Sequence, residues 1–159
     1  MIRQVRTEDW KRLRDARLRA LADAPYAFAS RLVEEQAFAN EVWQERATPS
    51  ASRASFAVER DDHFDAIVSC FVADDPGTVH LVGMWVAPQQ RGRGLGHGLV
   101  DAIVDWARQH GAERICLSVE ARNDAALRLY SRCGFVRAEP ATKLPYEPGP
   151  GADVLVFEL

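Results

Sequence analysis

Residues 79–98 read Val-His-Leu-Val-Gly-Met-Trp-Val-Ala-Pro-Gln-Gln-Arg-Gly-Arg-Gly-Leu-Gly-His-Gly. An apolar strand runs to Pro88, a glycine-rich turn follows, and a helix begins. Such a turn points several backbone N–H groups one way, at the positive end of a helix dipole, and so suits an anion, most often a phosphate. Gly92, Gly94, Gly96 and Gly98 remove every Cβ that would block a close approach, and Arg91 and Arg93 add positive charge. Two familiar phosphate loops do not fit. No Lys-Ser or Lys-Thr follows the glycines, as a nucleoside-triphosphate loop requires, and the third glycine of a dinucleotide fingerprint falls on His97 or Leu99.

A second constellation lies downstream. Asn123-Asp124-Ala125-Ala126-Leu127-Arg128-Leu129-Tyr130-Ser131-Arg132-Cys133-Gly134-Phe135 opens on a good N-cap, Asn123, and stops at a C′ glycine, Gly134. Ala126, Leu129, Tyr130 and Cys133 share one helix face. Together, Arg91-Gly92-Arg93-Gly94-Leu95-Gly96 after Met84-Trp85-Val86-Ala87-Pro88, and the Asn…Tyr…Gly-Phe helix, resemble the two signatures of the GNAT superfamily of acetyl-CoA-dependent N-acetyltransferases. The resemblance covers nearly the whole chain, more weakly before Phe56.

The resemblance implies acetyl-CoA as cosubstrate and assigns roles. The pyrophosphate falls to Arg91, Gly92, Arg93, Gly94, Leu95, Gly96, His97 and Gly98, with the Arg91 side chain adding a charge-assisted bond. Met84, Trp85 and Val86 take the pantetheine arm and acetyl group along an unpaired strand edge, with the N–H near Met84 as oxyanion donor. Asn123 bonds the pantetheine amides. Tyr130 is the candidate general acid, because a phenol stays protonated at neutral pH; as a bare residue it reads equally as a helix Tyr packed on the sheet. The base is open between His80, whose ordinary pKa suits the task, Glu120, and solvent. Strand alternation puts His80, Val82, Met84 and Val86 on one face. Tyr26, Phe28, Ser30 and Glu34 are acceptor-site candidates from the segment that borders that site in the family, against the plainer reading of core packing and a solvated carboxylate.

These residues need a frame. The chain has 159 residues, 47% apolar and 27% charged, which suits one domain spanning 1–159. A net charge of −3 argues against nucleic acid. No apolar run reaches the ~20 residues of a membrane span. Cys70, Cys116 and Cys133 lack metal spacing and read as buried free thiols of a reducing, cytoplasmic compartment; no metal site is expected.

The expected elements are a strand at 2–6, a helix capped by Thr7 that ends at Asp23-Ala24-Pro25, and one helical region over 26–47. Strands follow at 55–59, 66–73 and 78–86. A helix then runs from Gly94 to about His110, followed by a strand at 114–119, the Asn123 helix, a strand at 135–138, a proline-rich loop to Gly151 and a closing strand at 154–159. This order gives a mixed α/β, mostly antiparallel sheet, splayed at the cofactor site, with helices on both faces. The closing strand is expected at an edge where it could pair in a homodimer. The expected activity is acetyl transfer to a primary amine, of a small molecule in the first instance. The alternatives are a protein N-terminus or lysine as acceptor, and a non-catalytic acyl-CoA sensor.

Overall fold

The computed structural model describes residues 1–25, 31–149 and 151–159. Its elements are β1 (Ile2–Gln4), α1 (Trp10–Asp23), α2 (Leu32–Gln36), α3 (Asn40–Ala47), β2 (Arg53–Arg60), β3 (His63–Val72), β4 (Thr78–Val86), α4 (Leu95–Gln109), β5 (Arg114–Glu120), α5 (Asp124–Arg132), β6 (Val136–Arg137) and β7 (Ala152–Glu158). Among the described residues the strands form one sheet in the order β1-β2-β3-β4-β5-β7-β6. Every pairing is antiparallel except β4 with β5.

The two faces of the sheet carry separate cores. On one, Leu13, Ala16 and Ala20 of α1 and Ala47 of α3 pack on Ala57, Phe64, Ile67 and Trp85. On the other, α4 lays Leu99, Ile103 and Trp106 over Val68, Val79, Leu81, Ile115 and Leu117, and α5 adds Tyr130. The α4 residues recur at the three-to-four spacing of one helix face. Gly111 (φ 71°) stops α4, as its position after the last apolar turn predicts.

Three expectations are corrected. Thr7 does not cap α1; its hydroxyl meets that of Thr48, and Thr7–Asp9 is a 3₁₀ turn. Asp9 stands at the N-cap position of α1 without a side-chain capping bond; its buried carboxylate instead closes the 3₁₀ turn, accepting the Arg6 N–H at 2.8 Å and the Arg3 fork at 2.8 and 2.9 Å. Of the helical region predicted over 26–47, the described residues 31–47 form two short helices, α2 and α3, separated by Ala37–Ala39. The closing strand is not the outermost: β7 pairs with β5 along its whole length, and on its other side the two-residue β6 covers Leu155 and Val156.

Candidate active site

The glycine turn is built in two steps. Ala87 leaves β4 by donating to the Asp65 carbonyl, and Pro88–Gln90 makes a 3₁₀ turn that buries Gln90. Gly92 (φ 79°) and Gly94 (φ 80°) then take left-handed backbone, and Gly94 is the N-cap of α4. Among the described residues the N–H groups of Gly92 to His97 donate to no protein acceptor. A Cβ on Gly92 or Gly94 would meet nothing within 4 Å, so both are open to a ligand. An anionic group therefore fits this cradle, held by consecutive N–H groups and the helix dipole.

The other two glycines serve packing. A Cβ on Gly96 would lie 3.0 Å from Leu129, and one on Gly98 2.6 Å from Ile2. Gly98 also spends its N–H inside the helix, on the Gly94 carbonyl at 3.1 Å, so it drops out of the anion donors. The Arg91 side chain, expected on the phosphate, is tied elsewhere: Nε donates to the Val86 carbonyl at 3.0 Å and Nη2 pairs with Asp23 at 2.6 Å. Arg93 is exposed. His97 places one ring nitrogen 3.5 Å from Cys133 Sγ and the other 3.7 Å from Asp101. Cys133 is half-buried, unlike Cys70 and Cys116, and so only partly fits the buried thiol expected there.

Upstream of the turn, β4 and β5 pair only over Thr78–His80 with Arg114–Cys116, and then part. Beyond His80, the β4 edge faces no neighbouring strand on that side. The β3–β4 ladder also breaks: Ile67 pairs with Trp85 and Ser69 with Val82, leaving Gly83 and Met84 opposite Val68 alone. Gly83 has φ 66°, the signature of a bulge built on a left-handed glycine. This bulge overturns the expected alternation. His80 and Val82 keep to the α1 side of the sheet, where Val82 lines a pocket and His80 lies against Phe71. Met84 and Val86 have switched to the α4 side. The Trp85 side chain packs in the α1-side core and donates Nε1–H to Asp23 at 3.0 Å, leaving only its backbone at the β4 edge.

The titratable candidates lie on opposite faces. Tyr130 is buried on the α4 side, its ring against Phe135 at 5.6 Å, and burial pushes its phenol well above the usual value. It is held by the end of α5: the Phe135 N–H donates to the Tyr130 carbonyl and the Gly134 N–H to Ser131, with Gly134 at φ 99°. Asn123 caps the other end, Oδ1 accepting the Ala126 N–H at 3.2 Å. His80 is 5% exposed, its Nδ1 has no hydrogen-bond partner, and desolvation lowers its pKa below the ordinary 6.5. Tyr146, from the proline-rich loop, stands edge-on to His80 at 6.3 Å and reaches the Ser118 hydroxyl at 3.3 Å. Glu120 lies on the same face, four residues beyond the Cys116 that pairs with His80, and its carboxylate accepts the Arg122 N–H and Nε–H.

A pocket of about 290 Å³ opens on the α1 side of β2–β4 and reaches Val82 and Gly83. Arg17, Trp43, Arg46, Arg53, Ser55 and Ser69 line it. Behind them sits Glu35, wholly buried and bonded to Arg17 and Arg46. Of the expected acceptor residues, Tyr26, Phe28 and Ser30 lie outside the described residues, and Glu34 is exposed on α2, turned away from where its neighbour Glu35 is buried. Sequence reading missed the arginine wall altogether. Its one local signal was Gly83 in mid-strand, which marks a bulge or close backbone approach.

Comparison with known proteins supports the same reading. A family model described as acetyltransferase (GNAT) family matches residues 10–135. A mycothiol acetyltransferase of Renibacterium salmoninarum is 40% identical over 70 residues, 44% of this chain and 20% of that protein; the chain thus spans about a fifth of such relatives. N-alpha-acetyltransferase 30 of Schizosaccharomyces pombe is 31% identical over 86 residues, covering 52% of this chain and 57% of that one. In fold, a GNAT-family acetyltransferase from Streptococcus pneumoniae superposes with TM-score 0.79 at 20% identity, covering 100% and 99% of the two chains. The PaiA N-acetyltransferase of Thermoplasma acidophilum, solved with coenzyme A, gives 0.78 at 13% identity over 100% and 98%. With the cradle, the parted strands and the family match in agreement, the chain belongs to the acetyltransferase (GNAT) family.

Proposed function

We propose that the protein transfers acetyl from acetyl-CoA to the primary amine of a small-molecule acceptor, by direct attack within a ternary complex. One observation carries the reading: β4 leaves β5 immediately after His80, with the Gly83–Met84 bulge of the β3–β4 ladder just beyond and the glycine cradle at its end. Acetyl-CoA supplies the acyl group, activated as a thioester. The Gly92–His97 N–H groups hold the pyrophosphate. The Met84–Val86 backbone bonds the pantetheine arm as an added strand, and the Met84 N–H faces the carbonyl oxygen, where a fixed donor is most effective. Asn123, already oriented by its cap, keeps its Nδ2–H₂ for the arm.

The two faces of the sheet divide the proton work. Tyr130, kept protonated by burial, donates to the departing sulfur. His80, kept neutral by desolvation, takes the amine proton. Glu120 is assigned to the turn before α5, whose Arg122 it holds, rather than to the base. The single sheet from β1 to β7 and the family match over 10–135 support one N-acetyltransferase domain across 1–159.

Among the described residues no helix is long and apolar enough to cross a membrane. A protein N-terminus is the competing acceptor, favoured by the likeness to the fission-yeast N-alpha-acetyltransferase; the small, walled pocket favours a small molecule. Initial rates of thiol release against both substrates test the mechanism. Direct attack gives intersecting double-reciprocal lines, whereas parallel lines would require an acetylated protein intermediate and contradict it.

A further inference from the structure

We propose that the acceptor amine carries a carboxylate, recognised in the pocket by the guanidinium groups of Arg53 and Arg46. This rests on reading that pocket as the acceptor site. Three arginines, from α1, α3 and β2, contribute to its lining, and among the described residues no Asp or Glu does. The one buried carboxylate nearby, Glu35, lies behind the wall. It accepts both Nε–H and Nη2–H of Arg17, at 3.1 and 3.0 Å, and one N–H of Arg46, at 2.8 Å. Among the described residues, the buried Glu35 and the exposed Glu45 are the carboxylates paired with these three guanidiniums, which leaves the pocket wall with an excess of positive charge.

The arrangement is fixed before any ligand arrives. The Arg46 guanidinium lies 5.0 Å over both the Phe38 and Trp43 rings while Glu35 holds its Nη1. Planar groups held this way keep their fork geometry for a second carboxylate. Among the described residues the Arg53 side chain is held by Glu45 alone, through Nη2 at 3.2 Å, and that carboxylate is three-quarters exposed. An exposed pair of this kind contributes little, so a carboxylate entering the pocket can take Arg53 from it.

The remaining polar groups are also donors. The Trp43 Nε1–H is buried without a partner. The Ser55 and Ser69 hydroxyls bond each other at 2.6 Å, which uses one of their two O–H groups and leaves the other. A donor-rich, cationic pocket suits an anion and disfavours a polycation. It also lowers the pKa of an ammonium group brought to Gly83 and so helps to free the amine for attack. The pocket reaches the bulge, and Phe71 on its wall lies against the His80 ring, centroids 5.2 Å apart and tilted by 31°. One small molecule can therefore keep its carboxylate on the arginines and its amine at the bulge.

The test is acetyl-CoA-dependent thiol release by the full chain with free amino acids, their carboxamides, and the diamines putrescine and cadaverine. Melting with acetyl-CoA is followed in parallel. The amino acid that turns over best should exceed its own carboxamide by at least about tenfold in kcat/KM. Arg53→Gln should raise KM for that amino acid about tenfold and shrink the carboxylate–amide difference, while the acetyl-CoA melting shift stays that of the parent. Arg53→Glu, half-exposed and not a packing residue, should move the preference towards diamines. A parent enzyme that prefers diamines, carboxamides or acidic peptides, or an Arg53→Glu protein with the parent's preference, overturns the proposal. So does a normal melting shift with no release from any carboxylate-bearing amine. Loss of the melting shift in the parent would instead strike the cofactor assignment on which the reading depends.

Discussion

The Arg91 guanidinium and the Trp85 indole N–H converge on one oxygen, Oδ2 of Asp23, at 2.6 and 3.0 Å. Asp23 is the last residue of α1, Trp85 lies on the open strand β4, and Arg91 begins the glycine turn. A single carboxylate thus ties the helix flanking the pocket to the cradle. It also explains why the Arg91 side chain holds the turn in place rather than pointing into it.

The two partners of Asp23 differ in burial, which separates their energetics. Asp23→Ala strands the indole N–H of a nearly buried Trp85, and leaving such a donor unpaired costs about 1–3 kcal/mol. Arg91→Ala removes only an exposed ion pair and a bond to a carbonyl, and should cost under about 1 kcal/mol. Urea unfolding should show the larger drop in midpoint for Asp23→Ala, at unchanged slope. Equal losses would mean that the Trp85 bond is not formed.

Tyr130→Phe keeps the ring that packs on Phe135 and deletes the hydroxyl. The rate of thiol release at saturating substrates should fall by a factor on the order of 10²–10⁴. The acetyl-CoA melting shift should be kept. An unchanged rate would reduce Tyr130 to a packing residue.

For His80 the pH dependence has a definite sign. Burial lowers its pKa, so the base is neutral and competent throughout the range above the ordinary 6.5. The acid limb of kcat/KM should therefore lie below pH 6.5, and His80→Gln should remove it together with much of the rate. Stability follows the same linkage. The contribution of a neutral buried His80 is fully present above the unfolded value of 6.5 and is lost as pH falls through the lower folded value, because the unfolded chain takes the proton first. Urea midpoints between pH 8 and 5 should fall less steeply in His80→Gln. An acid limb that survives unchanged in that variant would move the base to another group.

What could be read from sequence followed from how local the cause was. Gly94, Gly111 and Gly134 occupy left-handed positions next to helix ends, and their neighbours within four residues announce them. The α4 and α5 faces follow from spacing alone. Gly83 has the same backbone need in mid-strand, but the shift of face it causes depends on which residues β3 places opposite. That pairing is not written in β4 itself. Thr7 looks like a cap by position, but its hydroxyl meets Thr48, forty-one residues away, and Asp9 bonds Arg3 of β1, contacts that the local sequence does not announce. The arginine pocket was invisible for the same reason. Arg17, Arg46 and Arg53 look like solvated charges one at a time; only the packing of α1 and α3 on β2 and β3 gathers them, and two of them pair with the buried Glu35.

The central claim is that the turn from Gly92 to His97 holds the pyrophosphate of acetyl-CoA, and thermal unfolding tests it most directly. Acetyl-CoA at 100 times its dissociation constant should add about 2.7 kcal/mol, several degrees in a domain of this size. ATP and NAD at equal concentration should add much less. Gly94→Glu, which places a carboxylate and a Cβ at φ 80° in the cradle, should keep the folded transition and lose the shift. No shift with acetyl-CoA in the parent, or an undiminished shift in Gly94→Glu, would contradict the account.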